Sequence, residues 1–235
     1  MTENIISHYT SPDALPRDLP TRDEIMSSDD WMCDQTGRKV VGVGPHFVVN
    51  HGMQIDLSEG QAMLYVAKNT SVPVPKVYAL YEDVDDRRKY IIMERVQRCT
   101  LEHLWPSLTK VQKESICARL KSSLAELRAL PSPGSFCGLN NVPLADNLFC
   151  ISDNDQNFYQ DGPFETEEDL NKSLLRTYSS SEGLRGKAKY YERVLPSVFC
   201  GHLSVFTHGD LQKRTSWLKV ARRGISCLDM SPNST

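Results

Sequence analysis

The chain has no run of the roughly 18 apolar residues that a membrane span needs. Nor do residues 1–20 show a basic stretch followed by an apolar core, so neither a transmembrane span nor a secretory signal is expected. Excess positive charge is also missing: 27 Lys and Arg stand against 30 Asp and Glu, a net charge of −3. With no basic stripe anywhere along the chain, a nucleic-acid footprint is excluded. Paired cysteines are lacking too. The seven (Cys33, Cys99, Cys117, Cys137, Cys150, Cys200 and Cys227) are odd in number, scattered and without a Cys-x-x-Cys. That excludes a disulfide framework or zinc knuckle and points to reduced thiols in the cytoplasm. Cys200 and His202 are too isolated to form a metal centre. What is present is an ordinary globular balance, 40% hydrophobic and 24% charged over 235 residues, long enough for one full core or two small lobes.

Residues 1–37 carry Pro12, Pro16, Pro20 and the acidic pair Asp29-Asp30, with little periodic structure, and read as a flexible tail. Ordered pattern starts at Lys39-Val40-Val41-Gly42-Val43, turns at Gly44-Pro45, and returns as Phe47-Val48-Val49, a hairpin rich in β-branched residues. A helix follows, with Asp56 or Ser58 as cap and Ala62, Met63, Val66 and Ala67 as its apolar stripe. Val72-Pro73-Val74-Pro75 imposes extended geometry. Strands at Val77–Tyr81 and Tyr90–Met93 then flank the charged turn Asp85–Arg88. Residues 38–97 therefore read as a β-rich lobe with one helix.

Beyond Val96 the period becomes helical. Thr109 caps a helix whose core stripe is Ile116, Leu120, Leu124 and Leu127, and Pro131–Gly134 ends it. After an irregular stretch from Ser135 to Glu165, Thr166-Glu167-Glu168-Asp169 opens a helix with Leu170, Leu174 and Tyr178 on one face. Ala188–Val194 forms another, closing at Pro196. Strand character returns in Val205–Thr207, Trp217–Val220 and Ile225–Leu228. Residues 98–235 thus form a mostly helical lobe, and a cleft between two such lobes is a standard place for a ligand.

The sharpest local signal is Val205-Phe206-Thr207-His208-Gly209-Asp210-Leu211. A carboxylate just after a short strand is held rigidly and can receive a hydroxyl proton in phosphoryl transfer. The kinase pattern continues with an Asn in the loop beyond that Asp and a metal-binding Asp at the end of a later strand. Asp210 takes the base position, Thr215 stands where the Asn belongs, and Asp229 ends the Ile225–Leu228 strand. A lone His-Gly-Asp fits a plain turn equally well.

In this order and spacing the motifs resemble the aminoglycoside phosphotransferase and related small-molecule kinase family, in particular its fungal-type members. The resemblance rests on Gly44-Pro45-His46-Phe47-Val48-Val49, Ser58-Glu59-Gly60, Asn69 to Ala79, Tyr90-Ile91-Ile92-Met93-Glu94, Leu104-Trp105-Pro106, Glu126-Leu127-Arg128, Gly162-Pro163-Phe164-Glu165 and Phe206-Thr207-His208-Gly209-Asp210. It implies an α+β, protein-kinase-like, two-lobed fold with ATP and Mg²⁺ as cofactors and a small-molecule hydroxyl as acceptor. Asp210 is then similar to the catalytic Asp, and Glu59 to the Glu that pairs with the phosphate-binding Lys. Met93, Glu94 and Val96 resemble the hinge that holds adenine, and Asp229 resembles the Mg²⁺-binding Asp.

The departures from the family pattern are specific. Asn50 stands where the Val48-Val49 strand should deliver the Lys, and it is too short and neutral to place charge on phosphates. The neighbouring His51 points to the opposite face. Thr215 offers a hydroxyl in place of a metal-ligating amide, Arg98 replaces a Gly after the hinge, and Met230-Ser231 replaces the usual Trp-Glu after Asp229. The chain stops at Thr235, without the family's last helices, so a truncated, incomplete helical lobe is expected. The expectation is a phosphotransferase with impaired turnover; the alternative is a non-catalytic, pseudokinase-like binding protein or a truncated gene product.

Overall fold

In a computed structural model, residues 5–96, 99–152, 158–180, 185–209, 211, 216–221 and 224–230 are described. Two compact units result, one spanning Met1–Arg128 with Thr207–Thr235, the other Ala129–Phe206.

The first unit is built on a six-stranded antiparallel sheet. Its strands are β1 (Ile5–Thr10), β2 (Trp31–Gln35), β3 (Arg38–Val43), β4 (Phe47–Gly52), β5 (Val77–Asp83) and β6 (Lys89–Glu94), in the spatial order β1-β5-β6-β4-β3-β2. The central strands are apolar on both faces, so both faces must be covered. One face carries Ile91, Leu80 and Val77, packed with Ile55, Leu57 and Met63 under helix α2 (Ser58–Asn69). The other carries Val41, Phe47, Val49, Tyr90 and Ile92, covered by Ile25 with Leu15 and Leu19.

That second cover corrects the expected flexible tail. Residues 5–35 form β1, paired with β5, the short helix α1 (Arg22–Met26), and β2, paired with β3. Ile25 is fully buried, which stabilises the unit by about 1.5–3 kcal/mol. Arg22 donates to Asp83 Oδ2 at 2.9 Å, and the Ser28 hydroxyl donates to the Gly42 carbonyl at 2.6 Å. A capping box, Thr21 with Glu24, starts α1.

The α2 stripe is narrower than expected: Met63 and Val66 are buried, and Ala67 is exposed. Strand β7 (Cys99–Thr100) leads into α3 (Leu101–Leu104) and then α4 (Lys110–Arg128). Thr109 caps α4, its hydroxyl accepting from Gln112 N–H at 3.3 Å. Ile116 and Leu127 of its stripe are buried; Leu120 and Leu124 are half-buried. Ser71 bonds Glu126 of α4 through both its backbone N–H and its hydroxyl. Near the chain end, β10 (Ser216–Ala221) pairs antiparallel with β11 (Gly224–Met230) and with β7. Helices α3 and α4 and this hairpin belong to the same compact unit as the sheet.

The second unit contains a small hairpin, β8 (Cys150–Ser152) with β9 (Phe158–Gln160), and two helices, α5 (Glu167–Ser180) and α6 (Arg185–Val198). Phe164 is buried, bridges to Phe136 and packs on Phe149 at 5.5 Å between ring centroids. As expected, the Thr166 hydroxyl accepts from Asp169 N–H at 3.1 Å to open α5. Tyr178 of α5 meets Tyr191 of α6 edge-on at 5.3 Å. Two expectations fail here. Helix α6 runs through Pro196 to Val198, so the lost N–H bond and the ring's clash with the carbonyl four residues back fall on its last turn. Val205–Thr207 forms no strand; the Ser204 hydroxyl instead donates to the Ser135 carbonyl at 2.7 Å.

Among the described residues no helix is long and apolar enough to cross a membrane.

Candidate functional site

The β3–β4 hairpin sets the first half of the site. Its register pairs Val40 with Asn50 and Lys39 with His51. Alternation then puts Arg38, Val40 and Asn50 on one face and Lys39 and His51 on the other. The start of β3 and the end of β4 approach closely at two glycines. Gly37 takes φ +81°, and a Cβ on Gly52 would lie 2.1 Å from the Gly37 carbonyl oxygen. This closeness lets the long Arg38 side chain reach Asn50 on the diagonal.

Helix α2 sets the second half. The Asp56 carboxylate accepts from Ser58 N–H at 2.9 Å at its start. Glu59 sits in the first turn, where the helix dipole favours a negative charge. Gly60 lets the helix lie directly on the sheet: a Cβ there would be 2.3 Å from Leu80 Cδ2.

The three polar side chains meet. Asn50 Nδ2 donates to Glu59 Oε2 at 3.1 Å. Arg38 Nε donates to Asn50 Oδ1 at 3.2 Å, and Arg38 Nη2 lies 3.9 Å from Glu59 Oε2. Asn50 is 1% exposed, and the Arg38 and Glu59 side chains are 11% and 15% exposed. An amide both donates and accepts, so Asn50 bridges the cation and the carboxylate, and each charge is paired as burial requires.

His51 shares that burial and has none of those bonds. Its ring stacks on Tyr90 at 5.7 Å and 7°, and Tyr90 stacks on Tyr81 at 4.7 Å. Neither ring nitrogen has a hydrogen-bond partner among the described residues. Burial first, then the nearby Arg88 and Lys39 charges, pushes the imidazole pKa down to about 4. His51 is therefore neutral at pH 7 and faces away from Glu59, as the alternation predicts.

The predicted hinge lies at the other end of the same strands. Phe47 pairs with Glu94, Val48 with Met93, and Asn50 with Ile91. Met93 and Asn50 therefore share the α2 face, two residues or about 7 Å apart along the strands. Glu94 N–H donates to the Lys76 carbonyl and Arg95 N–H to the His46 carbonyl, both at 2.8 Å. Both of those amides are therefore taken by the protein's own carbonyls.

Asp210 and Thr215 lie outside the described residues, as does Arg98. Asp229 lies within β11, opposite Trp217 of β10, rather than beyond a strand ending at Leu228. Among the described residues no group of three His, Cys, Asp or Glu could hold a metal ion. His202 is bonded to Glu167 through Nδ1 at 2.6 Å. Arg38 was not foreseen. Its signal was available: it sits two residues before Val40, on the Asn50 side of a recognisable hairpin.

No family model matches the chain, and no curated protein matches it. Solved structures do. A thermostable mutant of aminoglycoside phosphotransferase APH(4)-Ia in its apo form superposes with a TM-score of 0.58 at 13% identity, over 88% of this chain and 68% of that one. The same enzyme in ternary complex with AMP-PNP and hygromycin B gives 0.56 at 13% identity, with the same coverage. The streptomycin–ATP complex of APH(2")-IIa gives 0.52 at 14% identity, over 85% of this chain and 63% of that one. At these identities the likeness establishes the fold: the chain has the kinase-like, α+β fold of the aminoglycoside phosphotransferases.

Proposed function

We propose that the chain is a nucleotide-binding protein of the aminoglycoside-phosphotransferase type, in which phosphoryl transfer to a small-molecule hydroxyl is weak or lost. The observation that carries this reading is Asn50. It occupies the strand position facing Glu59 and makes the bond to that carboxylate expected of a lysine, but as a neutral amide.

The face has the layout a nucleoside phosphate needs. Met93 and the Glu94–Val96 backbone lie at one end, for a purine ring. A polar, charge-bearing cluster lies at the other, for phosphates. ATP is the nucleotide that the resemblance implies, and the hinge segment fits it, with Val96 as the position to offer a backbone bond. When bound, ATP would supply the transferable phosphoryl group. Mg²⁺ belongs to the same reading through Asp210, Thr215 and Asp229. Asp210 would receive the acceptor's hydroxyl proton.

Transfer suffers because catalysis depends on charge aimed at the transferring group. Removing one such contact typically costs on the order of a hundred- to a thousand-fold in rate. Thr215 in place of an amide adds a second loss. Fold alone does not specify the acceptor, and a hydroxyl-bearing small molecule is as far as this reading goes.

The test is ADP release from ATP and Mg²⁺ with a panel of aminoglycosides, hygromycin B and streptomycin included. The expected result is turnover near background, rising at least about tenfold in Asn50→Lys. Fast transfer by the native chain, abolished by Asp210→Asn, would overturn the impaired reading.

A further inference from the structure

The charge that Asn50 lacks has not left the site. Glu59 is a largely buried carboxylate, and a buried carboxylate needs a cation. In this chain that cation comes from the neighbouring strand: Arg38 Nη2 stands 3.9 Å from Glu59 Oε2, with Arg38 Nε on Asn50 Oδ1. The side chain itself is largely buried, so it is a built part of the cluster and not a surface arginine passing nearby.

We propose that Arg38 is the phosphate-contacting cation of this site, delivered from β3 in place of a lysine from β4. The inference rests on the nucleotide-binding reading of this face. Geometry and chemistry both support the exchange. The two strands are held together at Gly37 and Gly52, so a long side chain two residues from Val40 ends up beside residue 50. Asn50 is short enough to leave that space to the guanidinium; a lysine would compete for both the volume and Glu59. A guanidinium carries five N–H donors in a planar fork, against three on an ammonium, and suits phosphate oxygens. Arg38 can therefore hold Asn50 and Glu59 while presenting positive charge to a phosphate.

The consequence separates binding from turnover. A cation anchored by protein groups such as Asn50 and Glu59 supports ground-state phosphate binding, whereas rate requires contacts that strengthen in the transition state. Arg38 keeps the affinity for a triphosphate without restoring the transfer.

The experiment compares ATP with adenosine by calorimetric titration of the full chain, with and without Mg²⁺. The readout is the ratio of the two affinities, which isolates the phosphate contribution. The native chain prefers ATP. Arg38→Gln lowers ATP affinity at least about tenfold, the usual effect of losing a charge-assisted bond, and leaves adenosine unchanged. Arg38→Lys keeps most of the preference. Adding Asn50→Lys to Arg38→Gln restores it, which a merely structural role for Arg38 does not predict. If Arg38→Gln fails to fold because Glu59 is left uncompensated, Arg38→Gln with Glu59→Gln is compared with Glu59→Gln alone, and the same loss is expected. An unchanged ATP-to-adenosine ratio, with ATP still bound, overturns the role of Arg38 and leaves the nucleotide reading standing. Failure of the native chain to bind either ligand overturns both.

Discussion

Asn50 and His51 are neighbours on one strand, each 1% exposed, and the fold treats them in opposite ways. Asn50 faces α2 and both donates and accepts, to Glu59 and from Arg38. His51 faces the N-terminal segment, lies flat on Tyr90, and has no hydrogen-bond partner among the described residues. A buried polar side chain is normally bonded because leaving it unmet costs free energy. On the α2 face the chain meets that demand with a charged network. On the other it relies on ring stacking and a pKa driven low enough to keep the imidazole neutral. One face is arranged around charge and the other around packing, so substitutions on the two faces should fail in different ways.

The largest effect belongs to the packing face. Deleting residues 1–28 uncovers Val41, Phe47, Val49, Tyr90 and Ile92 together, and the chain is expected to lose cooperative unfolding in urea. A tail without structural role would leave the transition unchanged. Next comes Ile25→Ala, which empties a fully buried position and should cost about 2–5 kcal/mol in equilibrium urea denaturation. Third is Asn50→Ala on the charged face. Arg38 and Glu59 each lose a bond while remaining largely buried, an expected cost of about 1–3 kcal/mol by the same measurement.

The smallest effect is His51→Phe, which keeps the stack and should change stability at pH 7.5 by less than about 1.5 kcal/mol. Its signature is pH dependence. The folded pKa of His51 is near 4 against about 6.5 unfolded, so between those values the unfolded chain binds more protons. The native protein should lose melting temperature as pH falls from 6.5 to 4, and His51→Phe should lose less over the same window. Identical pH profiles would show that His51 is not the group responsible.

The β3–β4 hairpin, β5 and β6 were legible as β-branched and aromatic runs between turn signals, and α2, α4 and α5 as helical repeats. The N-terminal cover was not, since its contribution is a single buried anchor, Ile25, amid prolines and charges. The clue lay elsewhere: Phe47-Val48-Val49 and Tyr90-Ile91-Ile92 are apolar without alternation, the mark of strands covered on both faces. Pro196 stands two residues before the end of α6 and does not itself end the helix. Val205–Thr207 has strand-like residues, yet its backbone is not in strand conformation.

Within the site, Asn50 and Glu59 could be matched by position, and the structure joins them. Arg38 escaped because it lies outside the motif and reaches the cluster only through strand register and two glycines. The opposed orientation of His51 followed from alternation alone and held.

The central claim is that the α2 face of the sheet binds a nucleotide through the Met93–Val96 segment and the Arg38–Asn50–Glu59 cluster. Calorimetric titration of the full chain with ATP tests it most directly. The account predicts saturable binding at one site, with a dissociation constant below about 1 mM, weakened by Arg38→Gln. Absence of any saturable heat up to that concentration, with the protein folded, would contradict it.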